Sequence, residues 1–223
     1  MYYLHHIIFI FFFSFLNMKN EKQIFLRDKE TLYDSLSLKK IGLNEVIFNT
    51  ALIGRDILIK KRQISKFDFI TIIDFSQSSN KKRLYVIDLY KKIIVFNTYV
   101  AHGRNSGLEF PISFDNNINS YKSSLGFYIT GSLYKGMHGL SMKLNGIEKG
   151  INDDVIKRNI VMHGASYVSE LFIKNCGYLG RSQGCPAVPK EFCTPIINYI
   201  KEGSCLFIYY PDKNYLKHSS YIK

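Results

Sequence analysis

Residues Arg158–Lys190 read RNIVMHGASYVSELFIKNCGYLGRSQGCPAVPK, a stretch that joins a histidine, a glycine-flanked cysteine and two prolines. Its first part, Arg158–His163, is apolar and β-branched and ends in His-Gly, which predicts a buried strand with an imidazole at its rim. Further on, Gly184 directly precedes Cys185, and the missing Cβ lets a substrate carbonyl approach the backbone closely. The stretch therefore predicts a strand and a loop that present His163 and Cys185 to one site.

These two residue types suit nucleophilic catalysis of acyl transfer. A thiol is mostly protonated near neutral pH, so a nucleophilic Cys185 needs a base within hydrogen-bond reach, and His163 is the candidate. Pro186 has no N–H, so oxyanion donors are expected from Cys185, Gly184 or a facing loop. The alternative interpretation is a buried structural thiol and a hydrogen-bonded structural histidine. Against it, Gly-Cys-Pro in a Gly/Ser/Gln loop is poor core sequence.

Neighbouring residues are candidates for positioning the reacting groups. Arg181 has the charge to favour a thiolate or to hold a substrate carboxylate. Ser182 and Gln183 have the hydrogen-bonding groups to orient the imidazole or the substrate. Gly184 and Gly164, which flank the cysteine and the histidine, complete the predicted oxyanion and positioning set.

Five ordered motifs carry a resemblance to a known family, and the resemblance runs from about Phe69 to Pro211. The chain resembles the murein L,D-transpeptidase catalytic-domain family, as a divergent branch of the YkuD-type L,D-transpeptidases. The motifs are Ala101–Gly107, Ser123–Gly131, Tyr134–Ser141, Val161–Ala165 and Gly180–Ala187.

The resemblance implies the site and the activity. The family's nucleophile falls on Cys185 and its base on His163. The implied reaction cross-links or remodels the cell wall through an acyl thioester formed on peptidoglycan stem peptides, without a cofactor. Two alternatives stay open: an L,D-carboxypeptidase that trims stem peptides, and a non-catalytic cell-wall-binding protein. The candidate substrate-binding residues in the motifs are His102, Arg104, Tyr134 and His138.

The chain departs from the family pattern at two positions. Where Ser-His-Gly-Cys is common, Gln183 replaces the histidine. The arginine that commonly follows the cysteine is also absent, and Arg181 is the candidate to replace it. A zinc site built from His102, His138, His163 and Cys185 is disfavoured, because the sequence has no Cys-x-x-Cys or His-x-x-x-His spacing, and no metal is expected.

The pattern along the chain predicts a mainly β fold, either a β-sandwich or a partly closed barrel. Closely spaced apolar runs with short polar turns indicate a mainly antiparallel sheet within a catalytic domain over 67–212. A helical lead-in is expected over 19–66, with helices joined near Gly42, and a helix is expected after the cysteine, over Pro189–Ile200, which Pro195 interrupts or kinks. The loop His102–Ser124 is expected to wall the substrate groove, and the basic tail 213–223 is expected to be frayed.

The amino terminus and the charge indicate export. Leu4–Leu16 is an apolar run suited to a signal peptide or membrane anchor over residues 1–18, which predicts the periplasm or cell envelope and contact with the membrane surface. The net charge of +12 favours anionic partners. Nucleic acid is not expected, because the basic residues are scattered in pairs. Of the four cysteines, Cys176 and Cys193 are the one pair considered for a disulfide.

Overall fold

The structure is a computed structural model that describes residues 32–137 and 139–222. Within these residues, eight strands form one sheet in the order β3-β2-β1-β8-β4-β5-β6-β7. The β1–β8 and β6–β7 pairs are parallel and the other pairs are antiparallel, as the short polar turns predict. The strands are β1 Lys66–Asp74, β2 Leu84–Asp88, β3 Ile93–Thr98, β4 Gly126–Gly136, β5 Gly139–Gly146, β6 Val161–Ala165, β7 Ala187–Pro189 and β8 Ser204–Tyr209.

The two edges of the sheet approach each other and nearly close it. Ala101, just beyond the end of β3, forms a bridge with Ala187 in β7, and its amide donates to the Ala187 carbonyl at 2.8 Å. A second bridge joins Gly103 to Ser182. Between the two architectures that the sequence allows, the structure selects the barrel-like sheet, and the mainly β prediction is confirmed.

Four α-helices and one 3-10 helix have both ends within the described part of the chain, and residues 32–35 are also helical. The 3-10 helix Leu38–Ile41 ends at Gly42, whose φ of 87° is left-handed and unstrained for glycine. The predicted helix after the cysteine is confirmed, and it continues through Pro195 although that residue cannot donate the usual backbone hydrogen bond. The α-helices are α1 Glu45–Lys60, α2 Glu170–Cys176, α3 Lys190–Ile200 and α4 Lys213–His218.

The lead-in packs on the sheet and shares its core. Asn44 caps α1 by accepting a hydrogen bond from the Val46 amide at 2.8 Å. Phe48 and Leu52 on the inner face of α1 are buried in the same cluster as Phe127 of β4. Helix and sheet approach so closely that a Cβ added at Gly54 would lie 2.0 Å from the Phe127 ring. The described part of the lead-in therefore belongs to the same packed fold as the sheet.

The C-terminal tail is ordered, so the prediction of a frayed tail is wrong. Tyr215 in α4 is only 3% exposed, and its hydroxyl donates to Glu148 Oε1 at 3.2 Å. Tyr221 is 5% exposed, and its ring lies 5.9 Å from that of Phe127. Two tyrosines separated by basic residues carry too little periodicity to predict this packing from sequence.

The described helices include none that is long and apolar enough to cross a membrane. The apolar run Leu4–Leu16 and the predicted signal peptide or anchor lie outside the described residues.

Candidate active site

The strand pair β6–β7 brings His163 and Cys185 to the same end of the sheet. Its parallel register places His163 opposite Ala187, two residues after the cysteine. The Val161 amide lies 3.5 Å from the Cys185 sulfur, so the cysteine contacts the strand that carries His163, and both residues line the same cavity. Both predicted reacting residues therefore face one site.

That site is a cavity of about 630 Å³, open to solvent and large enough for a peptide segment. The loop His102–Ser124 supplies one of its walls, as predicted, and the hairpin β4–β5 supplies another. The described residues that line it are Arg104, Ile118, Asn119, Tyr121, Tyr134, Gly136, Met137, Lys157, Arg158, Asn159, Ile160, Val161, His163, Tyr167, Arg181, Ser182, Gln183 and Cys185.

The orientation of the His163 ring involves a backbone carbonyl. His163 is 3% exposed, and its Nδ1 lies 3.1 Å from the Gly164 oxygen. A carbonyl can only accept a hydrogen bond, so Nδ1 is a protonated nitrogen that donates to it. Gly164 itself packs against α3, since an added Cβ would lie 3.0 Å from Cys193 Cβ. The Gly164 carbonyl thus contacts the imidazole directly, and the positioning role of Gly164 stays a prediction.

Ser182 holds the cysteine loop in shape. Its hydroxyl donates to the Cys185 carbonyl at 2.6 Å and accepts from the Gly184 amide at 3.0 Å. Gly184 adopts φ 117°, and an added Cβ would lie 2.8 Å from the Lys122 carbonyl, so only glycine fits. The Gly184 amide is therefore engaged within the loop, and Gly184 acts on the site through its conformation.

The cation beside the sulfur is Arg158, which the sequence interpretation did not single out. Burial raises the pKa of the Cys185 thiol, while the Val161 N–H and the Arg158 charge act to lower it. Arg158 Nη2 would lie 3.2 Å from a Cβ added at Gly184. Arg158 lies in the turn that precedes β6, and no local sequence pattern indicated that it would lie near the sulfur.

Arg181 supports the loop that walls the cavity. Its Nη1 donates to the carbonyls of Arg104 and Gly107, each at 3.2 Å. Its guanidinium lies 5.8 Å from the Tyr178 ring. Arg181 lines the cavity as expected, but the cation that acts on the thiol pKa is Arg158. Gln183 is exposed and also lines the cavity.

The prediction that His102 contacts substrate is contradicted by its burial. His102 is fully buried, and its Nδ1 accepts from Arg83 Nη2 at 2.9 Å, while Nε2 donates to the Gly107 carbonyl at 3.3 Å. Burial, followed by the neighbouring charge of Arg83, lowers the pKa of His102 to about 3. His102 is a neutral structural residue behind the cavity wall.

The other predicted substrate-binding residues lie partly in the cavity wall and partly outside the described residues. Arg104 and Tyr134 both line the cavity. His138 lies outside the described residues. Tyr167, which the sequence interpretation missed, also lines the cavity, and burial together with the nearby Cys185 raises the pKa of its hydroxyl to about 12. Its position four residues after His163 was the available signal.

The described residues contain no group of three His, Cys, Asp or Glu side chains able to hold a metal ion. All four thiols are free, and Cys176 is exposed whereas Cys193 is buried. The considered disulfide between these two cysteines is therefore not formed.

A barrel-like sheet that presents a cysteine and a histidine to one cavity matches a known domain class. The chain belongs to the L,D-transpeptidase catalytic-domain family, whose sequence model matches residues 39–209. The matched range begins inside the lead-in and ends with β8, so it reaches further toward the amino terminus than the predicted domain boundary. A comparison with curated proteins found no match.

Several solved structures resemble this one at low sequence identity. An L,D-transpeptidase from Mycobacterium smegmatis is 8% identical over 64% of this chain and 59% of its own, with a TM-score of 0.39. An L,D-transpeptidase from Xylanimonas cellulosilytica is 13% identical over 63% and 60%, with a TM-score of 0.38. The helical cell shape determining protein Pgp2 from Campylobacter jejuni is 13% identical over 74% and 57%, with a TM-score of 0.44. The chain spans about three fifths of the length of these solved chains.

Proposed function

We propose that this protein is a cysteine-dependent L,D-transpeptidase that acts on peptidoglycan stem peptides and cross-links or remodels the cell wall. The observation that carries the proposal is that Cys185 and His163 line one cavity in a chain of this family. The contact of the sulfur with the Val161 amide supports it, because Val161 lies two residues before His163 on the same strand.

The first half-reaction forms an acyl thioester. His163 Nε2 accepts the thiol proton while the Cys185 sulfur attacks the carbonyl carbon of the L-to-D peptide bond in a tetrapeptide stem. The tetrahedral intermediate then collapses and the C–N bond breaks. The imidazolium returns its proton to the leaving nitrogen of the terminal D-alanine. The thioester conserves the energy of the broken bond, so the second step needs no nucleotide.

The second half-reaction transfers the acyl group to an amine. The acceptor nitrogen attacks the thioester carbon as His163 removes its proton. The C–S bond breaks, an amide forms, and the imidazolium reprotonates the Cys185 sulfur. Atoms and protons balance over the cycle, and the hydrogen bond from Nδ1 to Gly164 keeps the ring in one tautomer at the start of each half.

We assign the Cys185 amide as an oxyanion donor. The following residue, Pro186, has no N–H, and the Gly184 amide already donates to Ser182. The hydrogen bond from Ser182 to the Cys185 carbonyl fixes the loop that presents the Cys185 amide. A donor fixed in advance stabilises a developing oxyanion without reorganisation during the reaction.

The test is to incubate the full chain with a disaccharide tetrapeptide and to follow products and protein mass by mass spectrometry. We expect an acyl adduct on the protein and cross-linked dimers that have lost one D-alanine. Cys185→Ala should reduce product formation by about a thousandfold or more, because it removes the nucleophile. Cys176→Ala is the matched control, since it removes an exposed thiol on α2 outside the cavity lining.

The same experiment separates the alternatives. Trimmed monomers without dimers would show that water is the acceptor, which would make the protein an L,D-carboxypeptidase. An unchanged product profile in Cys185→Ala, with wall binding intact, would contradict enzymatic function and favour a wall-binding protein.

For localisation, we propose export to the periplasm or cell envelope, with the amino terminus at the membrane surface. The supports are the apolar run Leu4–Leu16 and the net charge of +12, which suits anionic wall polymers and headgroups. Cell fractionation with a C-terminal tag tests it, and recovery in the cytoplasmic fraction alone would contradict it.

A further inference from the structure

The charged side chains in the described lining of the cavity are all positive. Four cations line it, and no Asp or Glu belongs to its described lining. Such a site favours an anionic ligand, since field lines concentrate in a cleft of one sign. The four cations are Arg104, Lys157, Arg158 and Arg181.

Three of the four cations are already engaged by protein oxygens. Lys157 Nζ lies 2.7 Å from Asp154 and is 71% exposed. Arg181 Nη1 donates to two loop carbonyls. Arg158 donates to four oxygens of the cavity wall, those of Asp115, Ser120, Lys122 and Ser124.

Arg104 differs from these three because, among the described residues, its guanidinium has no hydrogen-bonded oxygen and packs instead on an aromatic ring. Its guanidinium carbon lies 4.1 Å from the centroid of the Tyr121 ring. No ion pair of the described residues includes Arg104. Its backbone is tied to the cysteine loop, because its amide donates to the Ser182 carbonyl at 2.7 Å. The guanidinium is thus held at a fixed place in the cavity while its N–H edge stays available.

The Tyr121 ring is itself held by an unusual backbone. Tyr121 has φ 55°, a left-handed conformation that costs free energy in a bulky residue. Its carbonyl accepts from the Asn105 amide at 3.2 Å and would lie 2.4 Å from a Cβ added at Gly103. Strained residues of this kind cluster at ligand clamps, where the surrounding contacts hold them in place.

We propose that Arg104, stacked on Tyr121, binds a carboxylate of the substrate, so that the cavity selects stem peptides carrying a free carboxylate near the scissile bond. The proposal rests on the proposed function and deepens it. A guanidinium offers a planar fork that matches a carboxylate with two parallel hydrogen bonds, and stacking on an aromatic face leaves that edge open. The carboxylate is that of the terminal D-alanine or of an acidic side chain in the stem.

The test measures binding in the Cys185→Ala background, so that no turnover interferes. A tetrapeptide with a free terminal carboxylate and its terminal carboxamide are titrated by calorimetry into Cys185→Ala and into Cys185→Ala/Arg104→Gln. We expect amidation to weaken binding about tenfold in the first protein and less than about twofold in the second, because a charged hydrogen-bonded pair is lost only where Arg104 is present.

A second peptide arm and two further variants sharpen the measurement. The third ligand is the tetrapeptide amidated at its acidic side chain. If this amidation, and not that of the terminus, weakens binding only where Arg104 is present, the acidic side chain is the carboxylate that Arg104 binds. Arg104→Lys should retain only part of the discrimination, because an ammonium lacks the planar fork. Lys157→Gln, a cation of the same cavity paired with Asp154, should leave the discrimination within about twofold of the parent.

The proposal is overturned if both amidations weaken binding equally with and without Arg104, or if the parent binds no carboxylate peptide at millimolar concentration. It is also overturned if Lys157→Gln abolishes discrimination as fully as Arg104→Gln, since that indicates general charge attraction. Failure of the proposed function looks different: the wild-type chain would form no acyl adduct, while the binding cycle in Cys185→Ala would still show coupling between Arg104 and the carboxylate.

Discussion

At the scale of single residues, the surroundings of the Cys185 sulfur act on its pKa in opposite directions. Burial raises its pKa, which favours the inert thiol, whereas the Val161 N–H and the Arg158 charge favour the thiolate. Arg158 also donates to four oxygens of the cavity wall, one of them on Ser124, so it links the shape of the cavity to the ionisation of the Cys185 thiol.

Arg158→Gln should therefore raise the pKa of the Cys185 thiol. Burial raises this pKa, and the substitution removes a positive charge that lowers it. The measurement is the rate of iodoacetamide alkylation of Cys185 against pH, in a Cys176→Ala background that removes the exposed thiol. We expect slower alkylation at pH 7 and a midpoint at higher pH. Arg158→Lys keeps the charge but cannot reach all four oxygens. If its alkylation midpoint shifts as far as that of Arg158→Gln, the shift comes from displacement of the loop and not from loss of the charge.

The residue scale also shows what the sequence could and could not predict about the site. The placement of Cys185 and His163 in one cavity was predictable because each lies in a local pattern with chemical meaning, a Gly-Cys-Pro loop and an apolar run that leads to His-Gly. The role of Arg158 was not predictable, because its hydrogen-bond partners lie 34 to 43 residues away in the chain. His102 was misassigned because its buried partner, Arg83, is likewise distant in sequence.

At the scale of elements, local periodicity predicted most strands and helices but not their pairing. The apolar runs of β1, β2 and β3 repeat within a few residues, so they were visible in the sequence. The insertion of β8 between β1 and β4 was not visible, because it depends on contacts between distant segments. The helix α1 was predicted, whereas its close approach to the β4 residue Phe127 depends on Gly54, a contact across the fold.

Gly54→Ala should destabilise the protein although alanine is the better helix former. An added methyl would lie 2.0 to 2.6 Å from three atoms of the Phe127 ring, and that ring is stacked on Phe207 at 4.2 Å, which restricts its movement. Overpacking costs about 1–3 kcal/mol, more than the propensity gain of about 1 kcal/mol. Urea unfolding measures the difference.

The matched control for this prediction is Thr50→Ala, one turn earlier in α1. The Thr50 hydroxyl bonds the Val46 carbonyl within the same helix, so its loss should change the free energy of unfolding by less than about 1 kcal/mol. A Gly54→Ala variant as stable as wild type would show that helix and sheet can separate without cost.

At the scale of the whole molecule, the C-terminal segment joins the lead-in to the barrel. Tyr221 donates to Gln63 at 3.2 Å, and its ring lies 4.3 Å from Lys61 Nζ, both just beyond α1. On the barrel side, the buried carboxylate of Glu148 accepts from the Phe127 amide, the Tyr215 hydroxyl and the Ser219 hydroxyl. The end of the lead-in and the C-terminal segment thus contact each other, and none of these residues lines the cavity.

This junction should make stability depend on pH in a defined direction. Burial raises the pKa of Glu148, although its hydrogen-bond donors oppose the shift. An acid with a raised pKa in the folded state holds its proton more tightly there than in the unfolded chain, so its contribution to stability is complete below about pH 4.3 and is lost as pH rises through the folded pKa.

The variant Glu148→Gln does not titrate at this position and serves as the reference. The unfolding free energy of wild type minus that of Glu148→Gln, from urea titrations between pH 4 and pH 8, should therefore fall with rising pH and then level off. A difference that grows with pH would mean that the Phe127, Tyr215 and Ser219 donors outweigh burial, and that the junction is held by a charged carboxylate.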